Sequence, residues 1–201
     1  MKRLYIALVL IATFHNAFSK EKKSVENKDY QFDGTISREV LENYLARSST
    51  FGSLLHLTLE DDLRMIKNTG VKFAGRAIWM WGGESKIDEL VRVGEPFAKR
   101  IHEIDPDIIL QGAIFEVVTK DVNNVAIPES VFEEFGVPKE PRNFSYKAML
   151  YPFGHRHNHW SKDSSVPDMS RLETRMWFFY LAKRWIAVSY THLTLPTSDL
   201  V

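Results

Sequence analysis

Apolar and polar positions alternate along the chain in two distinct periods, and the switches between them predict its elements. Ser37 is placed to cap a helix whose Val40, Leu41, Tyr44 and Leu45 recur on one face. The short apolar run Phe51 to Leu57 is compatible with a buried strand. Thr58, three residues before Asp61, forms a capping-box pattern that opens a second helix ending at Gly70. Val71 to Trp81 then reads as a strand interrupted by Gly75 and Arg76 and stopped by Gly82-Gly83. Ile87, Leu90, Val91, Phe97, Ala98, Ile101 and Ile104 return to helical spacing, with Pro96 expected to kink or restart the helix after Gly94. Asp105-Pro106-Asp107 ends it, and Ile108 to Phe115 is continuously apolar, as a strand buried on both faces would be.

Strand, helix and strand with short connections make a βαβ unit of right-handed crossover, so the fold class is α/β. Val117 to Pro152 loses the period: Pro128 starts a short helix through Phe135, and Pro138 and Pro141 mark an irregular connection. Ser170-Arg171-Leu172-Glu173 reads as a second capping box. Leu172, Met176, Trp177, Tyr180, Leu181 and Trp185 continue it as an amphipathic helix.

The two ends of the chain follow other rules. Met1, Lys2 and Arg3, the apolar run Leu4 to Phe14 and the small-x-small pattern Ala17-Phe18-Ser19 make a secretory signal peptide, cleaved after Ser19. His15 and Asn16 stop the run short of the ~20 residues needed to span a bilayer. With no cysteine there is neither a disulfide framework nor a lipid-modified N-terminal cysteine, so a secreted or periplasmic protein is expected. Residues 20 to 35 form a polar, lysine-rich leader. At the other end, Val188 to Thr197 resembles, residue for residue, the translation of a tagmentation adapter, and residues 187 to 201 are read as a non-native tail. The expected domain is therefore 36 to 186, with the strand that should follow the last helix missing.

Charge narrows the partners. Lys plus Arg and Asp plus Glu are each 26 of 201 residues, so no basic face announces nucleic acid, and no membrane contact is expected after signal cleavage. No cofactor is expected. In a parallel α/β fold, ligands meet the carboxyl ends of strands. Two such places carry chemistry: Trp79, Trp81, Gly82, Gly83 and Glu84 after the first strand of the unit, and Glu116 after the second. Paired carboxylates at strand ends suit glycoside cleavage, and neighbouring tryptophans suit sugar faces. Glu116 and Glu84 are the candidate catalytic residues; Trp79, Trp81, Arg76 and Gln111 are the candidate substrate contacts. Arg76 is alternatively a salt-bridge partner for a strand-end glutamate. His155, His157 and His159 would share one side of an extended segment and there could bind zinc or copper, against the plainer reading of a solvated loop.

The segments Asp62 to Phe73 and Asp105 to Gln111 resemble the helix-to-strand passages of secreted (β/α)8-barrel, glycoside-hydrolase-like proteins, a resemblance covering roughly Ile36 to Ile186. It implies the truncated N-terminal portion of a TIM barrel acting on carbohydrate, with Glu116 as acid/base and the second carboxylate on a later strand. In many such barrels the acid/base glutamate follows an asparagine; here Phe115 precedes Glu116. Two alternatives stand beside this one: an exported carbohydrate-binding or surface protein without catalysis, and a metal-dependent hydrolase built on the three histidines.

Overall fold

The structure, a computed structural model, describes residues 36–51, 59–188, 190 and 192–194. The signal peptide, the leader, Thr58 and most of the Phe51 to Leu57 run lie outside the described residues. The chain divides into two units, Met1–Leu41 and Glu42–Val201. In the first, the Ser37 hydroxyl accepts the Val40 N–H at 3.2 Å and the Ser37 carbonyl accepts the Leu41 N–H at 2.9 Å, so Ser37 starts helix α1 (Arg38–Ala46). Its apolar face is narrower than the spacing predicts, since Leu41 and Leu45 are exposed.

Four parallel strands form the sheet of the second unit: β1 (Ser48–Thr50), β2 (Phe73–Trp79), β3 (Ile109–Ala113) and β6 (His192–Thr194), in the spatial order β1-β2-β3-β6. β1 lies just before the Phe51 to Leu57 run, and Phe51 donates its N–H to the Gly75 carbonyl at 2.8 Å. Each new strand is added on the same side of its predecessor, and right-handed crossovers then lay the connecting helices on one face. Those helices are α2 (Leu59–Thr69), α3 (Ile87–Ile104) and α5 (Leu172–Ala187). Leu63 and Ile66 of α2, Ala98 and Ile101 of α3, and Trp177, Leu181 and Trp185 of α5 share one core with Ala74, Ile78 and Leu110 of the sheet. This is an α/β fold. Among the described residues no helix is long and apolar enough to cross a membrane.

Two glycines allow the close helix-to-sheet contact. A Cβ on Gly112 of β3 would lie 2.7 Å from Trp185 Cδ1, and one on Gly94 of α3 would lie 2.8 Å from Ile78 Cδ1. Pro96 does not restart the helix: α3 runs unbroken from Ile87 to Ile104. Both Pro96 and Arg92 are exposed, so the Arg92 carbonyl that loses its helical donor turns to water instead.

Between β3 and α5 the chain forms a long insertion. Its strands β4 (Val118–Thr119) and β5 (Ser164–Ser165) pair antiparallel, and the short helix α4 (Glu129–Glu134) follows Pro128 as the sequence predicts. The second capping box is not formed. Asp168 accepts from both the N–H and the hydroxyl of Ser170, while Glu173 is buried and takes a two-pronged grip from Arg142, at 2.7 and 2.9 Å, plus the Ser145 N–H. A fixed guanidinium outcompetes a local cap for the carboxylate.

A strand does follow α5, contrary to expectation. Val188 and Tyr190 are buried, and His192–Thr194 pairs in parallel with Gln111–Ala113. The β-forming, alternating residues of this segment pair as such residues do, whatever encoded them.

Candidate functional site

The carboxyl ends of β2 and β3 are shaped by a break in β2. The register against β3 shifts between Ala74 and Ile78, and within the shift Arg76 takes φ +54°. Its N–H donates to Gln111 Oε1 at 3.1 Å. Gly75 sits just before it because a Cβ there would come within 3.2 Å of Thr50 Oγ1 and 3.4 Å of Gln111 Oε1. Gln111, predicted as a substrate contact, is buried and spends its oxygen on holding the bulge.

Above the bulge the rings converge. Phe115 packs edge-on to Trp79 at 5.7 Å between centroids and tilted against Trp81 at 5.4 Å. Trp81 meets Trp160 of the insertion at 4.9 Å, edge to face, and His159 stands against Trp160 at 4.6 Å. The Trp160 indole N–H donates to the Glu116 carbonyl at 3.3 Å, which ties the insertion to the end of β3. Trp81 and Trp160 remain 44% and 41% exposed. The Arg76 guanidinium lies over the Phe115 ring, 5.3 Å from its centroid.

The two glutamates have different surroundings. Glu84 is only 2% exposed, and both its carboxyl oxygens are occupied by Thr119, one by the N–H at 2.7 Å and the other by the hydroxyl. Burial raises its pKa against the lowering effect of those two bonds. One residue on, the N–H and hydroxyl of Ser85 both donate to Asp121, at 2.8 and 2.7 Å, and hold that carboxylate below its ordinary value. Glu84 and Asp121 thus form a reciprocal latch between the Gly82-Gly83 turn and the start of the insertion. Glu116 is half-buried beside Phe115, and among the described residues its carboxylate forms no ion pair. The Arg76–Glu116 salt bridge that the sequence allows is not made.

The histidines do not converge. The loop turns instead of extending, with Arg156 at φ +56° and Asn158 at φ +50°, which removes the shared side. His157 bonds the Tyr151 carbonyl, His155 accepts from Arg156, and His159 faces Trp160. Among the described residues no three His, Cys, Asp or Glu side chains stand together as a metal group.

Beside Trp81 an open groove of about 550 Å³ is lined by Met80, the Gly82-Gly83 turn, Lys86, Glu89 and Leu90. The structure therefore brings Arg76, Trp79, Trp81 and Glu116 to one edge, sets Gln111 beneath them and turns Glu84 to the insertion. Phe115, Thr119 and Trp160 complete the site and were not singled out by sequence; an aromatic in a polar, Gly/Pro-flanked loop was the available signal for Trp160.

No family model matches the chain, and no curated protein matches it. Among solved structures, a noncanonic maltogenic α-amylase from Thermotoga neapolitana overlays with a TM-score of 0.39 at 16% identity, covering 70% of this chain. The chain spans about a third of that protein, 35% of its length.

Proposed function

We propose that this edge binds carbohydrate, in the N-terminal part of a secreted (β/α)-barrel protein active on glycans. The observation that carries the reading is the joined ring surface Trp81–Phe115–Trp160, half open to solvent, at the end of two parallel strands. Such a surface matches the apolar faces of pyranose rings, and a few polar groups beside it fix orientation. The order β1-β2-β3, which grows in one direction without reversal, supports a barrel over a doubly wound sheet.

Glu116 is the group we assign as general acid. It sits just past the strand end, half-buried beside Phe115, and among the described residues it has no ion-pair partner. Glu84, with both oxygens engaged by Thr119, serves the loop rather than the substrate. That engagement also favours a second reading, a sugar-binding protein without catalysis, because the edge then offers one free carboxylate where glycoside cleavage uses two. The metal-dependent reading loses its footing with the divergence of the histidines. Export by cleavage after Ser19, and an adapter origin for residues 187 to 201, remain part of the proposal; N-terminal sequencing of exported protein and the reading frame beyond Ile186 test them.

The site is tested with a panel of oligosaccharides. Trp81→Ala and Trp160→Ala should each weaken binding by roughly three- to tenfold, the scale of a lost ring contact. Glu116→Gln should keep binding and abolish hydrolysis if the protein is catalytic. Hydrolysis that survives Glu116→Gln removes the acid assignment. A panel that shows no binding at all removes the proposal.

A further inference from the structure

We infer that the sugar this edge recognises is acidic, a uronate whose carboxylate is taken by Arg76. The inference rests on the carbohydrate reading above and adds the substrate class.

Arg76 occupies a backbone conformation that L-residues adopt at a cost of about 1 kcal/mol or more, since Cβ crowds the carbonyl at positive φ. The residue that tolerates such angles freely, Gly75, stands next door at a position where a Cβ would crowd the Thr50 and Gln111 side chains. The chain thus accepts strain at an arginine, and the Gln111 side chain pins it there through the Arg76 N–H. What the strained turn achieves is a placement. The guanidinium lies on the Phe115 face, whose flanks are Trp79 and Trp81, so a ring stacked on the tryptophans brings its substituents beside it.

Its fork is open. Among the described residues no carboxylate pairs with Arg76, whereas Arg142 and Arg100 each close a two-pronged contact, on Glu173 and on Glu60. A planar guanidinium offers parallel N–H donors spaced for a carboxylate, and resting on a ring it loses little entropy on binding one. The loop from Pro152 to Ser165, which brings Trp160 against Trp81, carries Arg156 and Lys162 against Asp163.

The test is a comparison in which only charge changes: trigalacturonic acid against its methyl ester, with maltotriose as a neutral third ligand, titrated into the full chain and followed by tryptophan fluorescence and calorimetry. The acid should bind roughly tenfold or more tightly than the ester, the gain expected of a charge-assisted hydrogen bond, and concentrated salt should erase the difference. Arg76→Gln should abolish the preference for acid over ester and its salt dependence, read as an acid-to-ester affinity ratio near one. Ester or maltotriose binding as tightly as the acid overturns the acidic-sugar inference and leaves the ring platform standing. A preference for acid that survives Arg76→Gln places the charge recognition elsewhere and overturns the assignment. Absence of binding by all three overturns this inference together with the reading it rests on. Should Arg76→Gln fail to fold, the acid-to-ester ratio of the unaltered chain and its salt dependence decide alone.

Discussion

Glu84 shows how a residue legible as chemistry becomes structure. A glutamate after a strand and a glycine turn has the sequence signature of a catalytic group, but its partner, Thr119, lies 35 positions away and leaves no mark near it. Burial without a cation raises the Glu84 pKa above the ordinary 4.5, so the folded chain holds this proton more tightly than the unfolded chain. The contribution is full below pH 4.5 and is lost as pH rises through the folded value. Glu84→Gln should therefore flatten the decline in stability above pH 4.5, because the amide keeps an acceptor for the Thr119 N–H and has no proton to lose. Glu84→Ala leaves two Thr119 donors unanswered and should cost about 1–3 kcal/mol. Thermal unfolding across pH 4 to 8 checks both, and a Glu84→Gln profile parallel to the parent would show that other groups set the acid dependence. Arg76 and Gln111 were legible as polar residues on an apolar strand; the bulge that separates their roles was not, because it depends on the cross-strand contact with Thr50.

At the scale of elements, periodicity located α2, α3, α5 and the cores of β2 and β3, because each buries a face large enough to impose its period on the sequence, while Pro128 alone marked the start of α4. Where local chemistry had to choose between partners, the sequence was less informative. Ser170 and Glu173 fit a capping box and instead serve Asp168 and Arg142. The alternating histidines fit a strand, but Arg156 and Asn158 between them take positive φ and turn the loop. Pro96 is the telling case inside α3. The helix runs through it at the expense of one hydrogen bond on the exposed face, so Pro96→Ala should stabilise the protein by about 1–3 kcal/mol, read as a rise in Tm. No rise would mean that the stiffer unfolded chain already offsets the missing bond. Gly112→Ala tests the opposite limit: the added methyl meets Trp185 Cδ1 at 2.7 Å against the fixed backbone of β3, and destabilisation of about 1–3 kcal/mol or more is expected.

For the whole molecule, the sheet depends on what lies beside β3. That position is taken by β6, from the stretch that reads as adapter, and Tyr190 just before it is fully buried with its hydroxyl donating to the Gly94 carbonyl at 3.1 Å. Burial pushes this phenol above its ordinary pKa, as befits a side chain closed off from water. A buried tyrosine removes roughly 150–250 Å² from water, of order 4–6 kcal/mol at ~25 cal/mol/Å². Ending the chain at Ala187 would remove that plug, open a void between α3 and α5, and unpair Gln111–Ala113 along an edge next to the ring cluster. The shortened chain should then lose its cooperative thermal transition or lower its Tm by about 10 °C or more. It should also self-associate through the open edge, seen as higher-order species in size-exclusion chromatography. Tyr190→Phe should cost only about 1 kcal/mol, the share of the single hydrogen bond. If the shortened chain instead melts cooperatively as a monomer within a few degrees of the parent, β6 and Tyr190 contribute nothing to the fold, and α5 closes the core against β3 unaided.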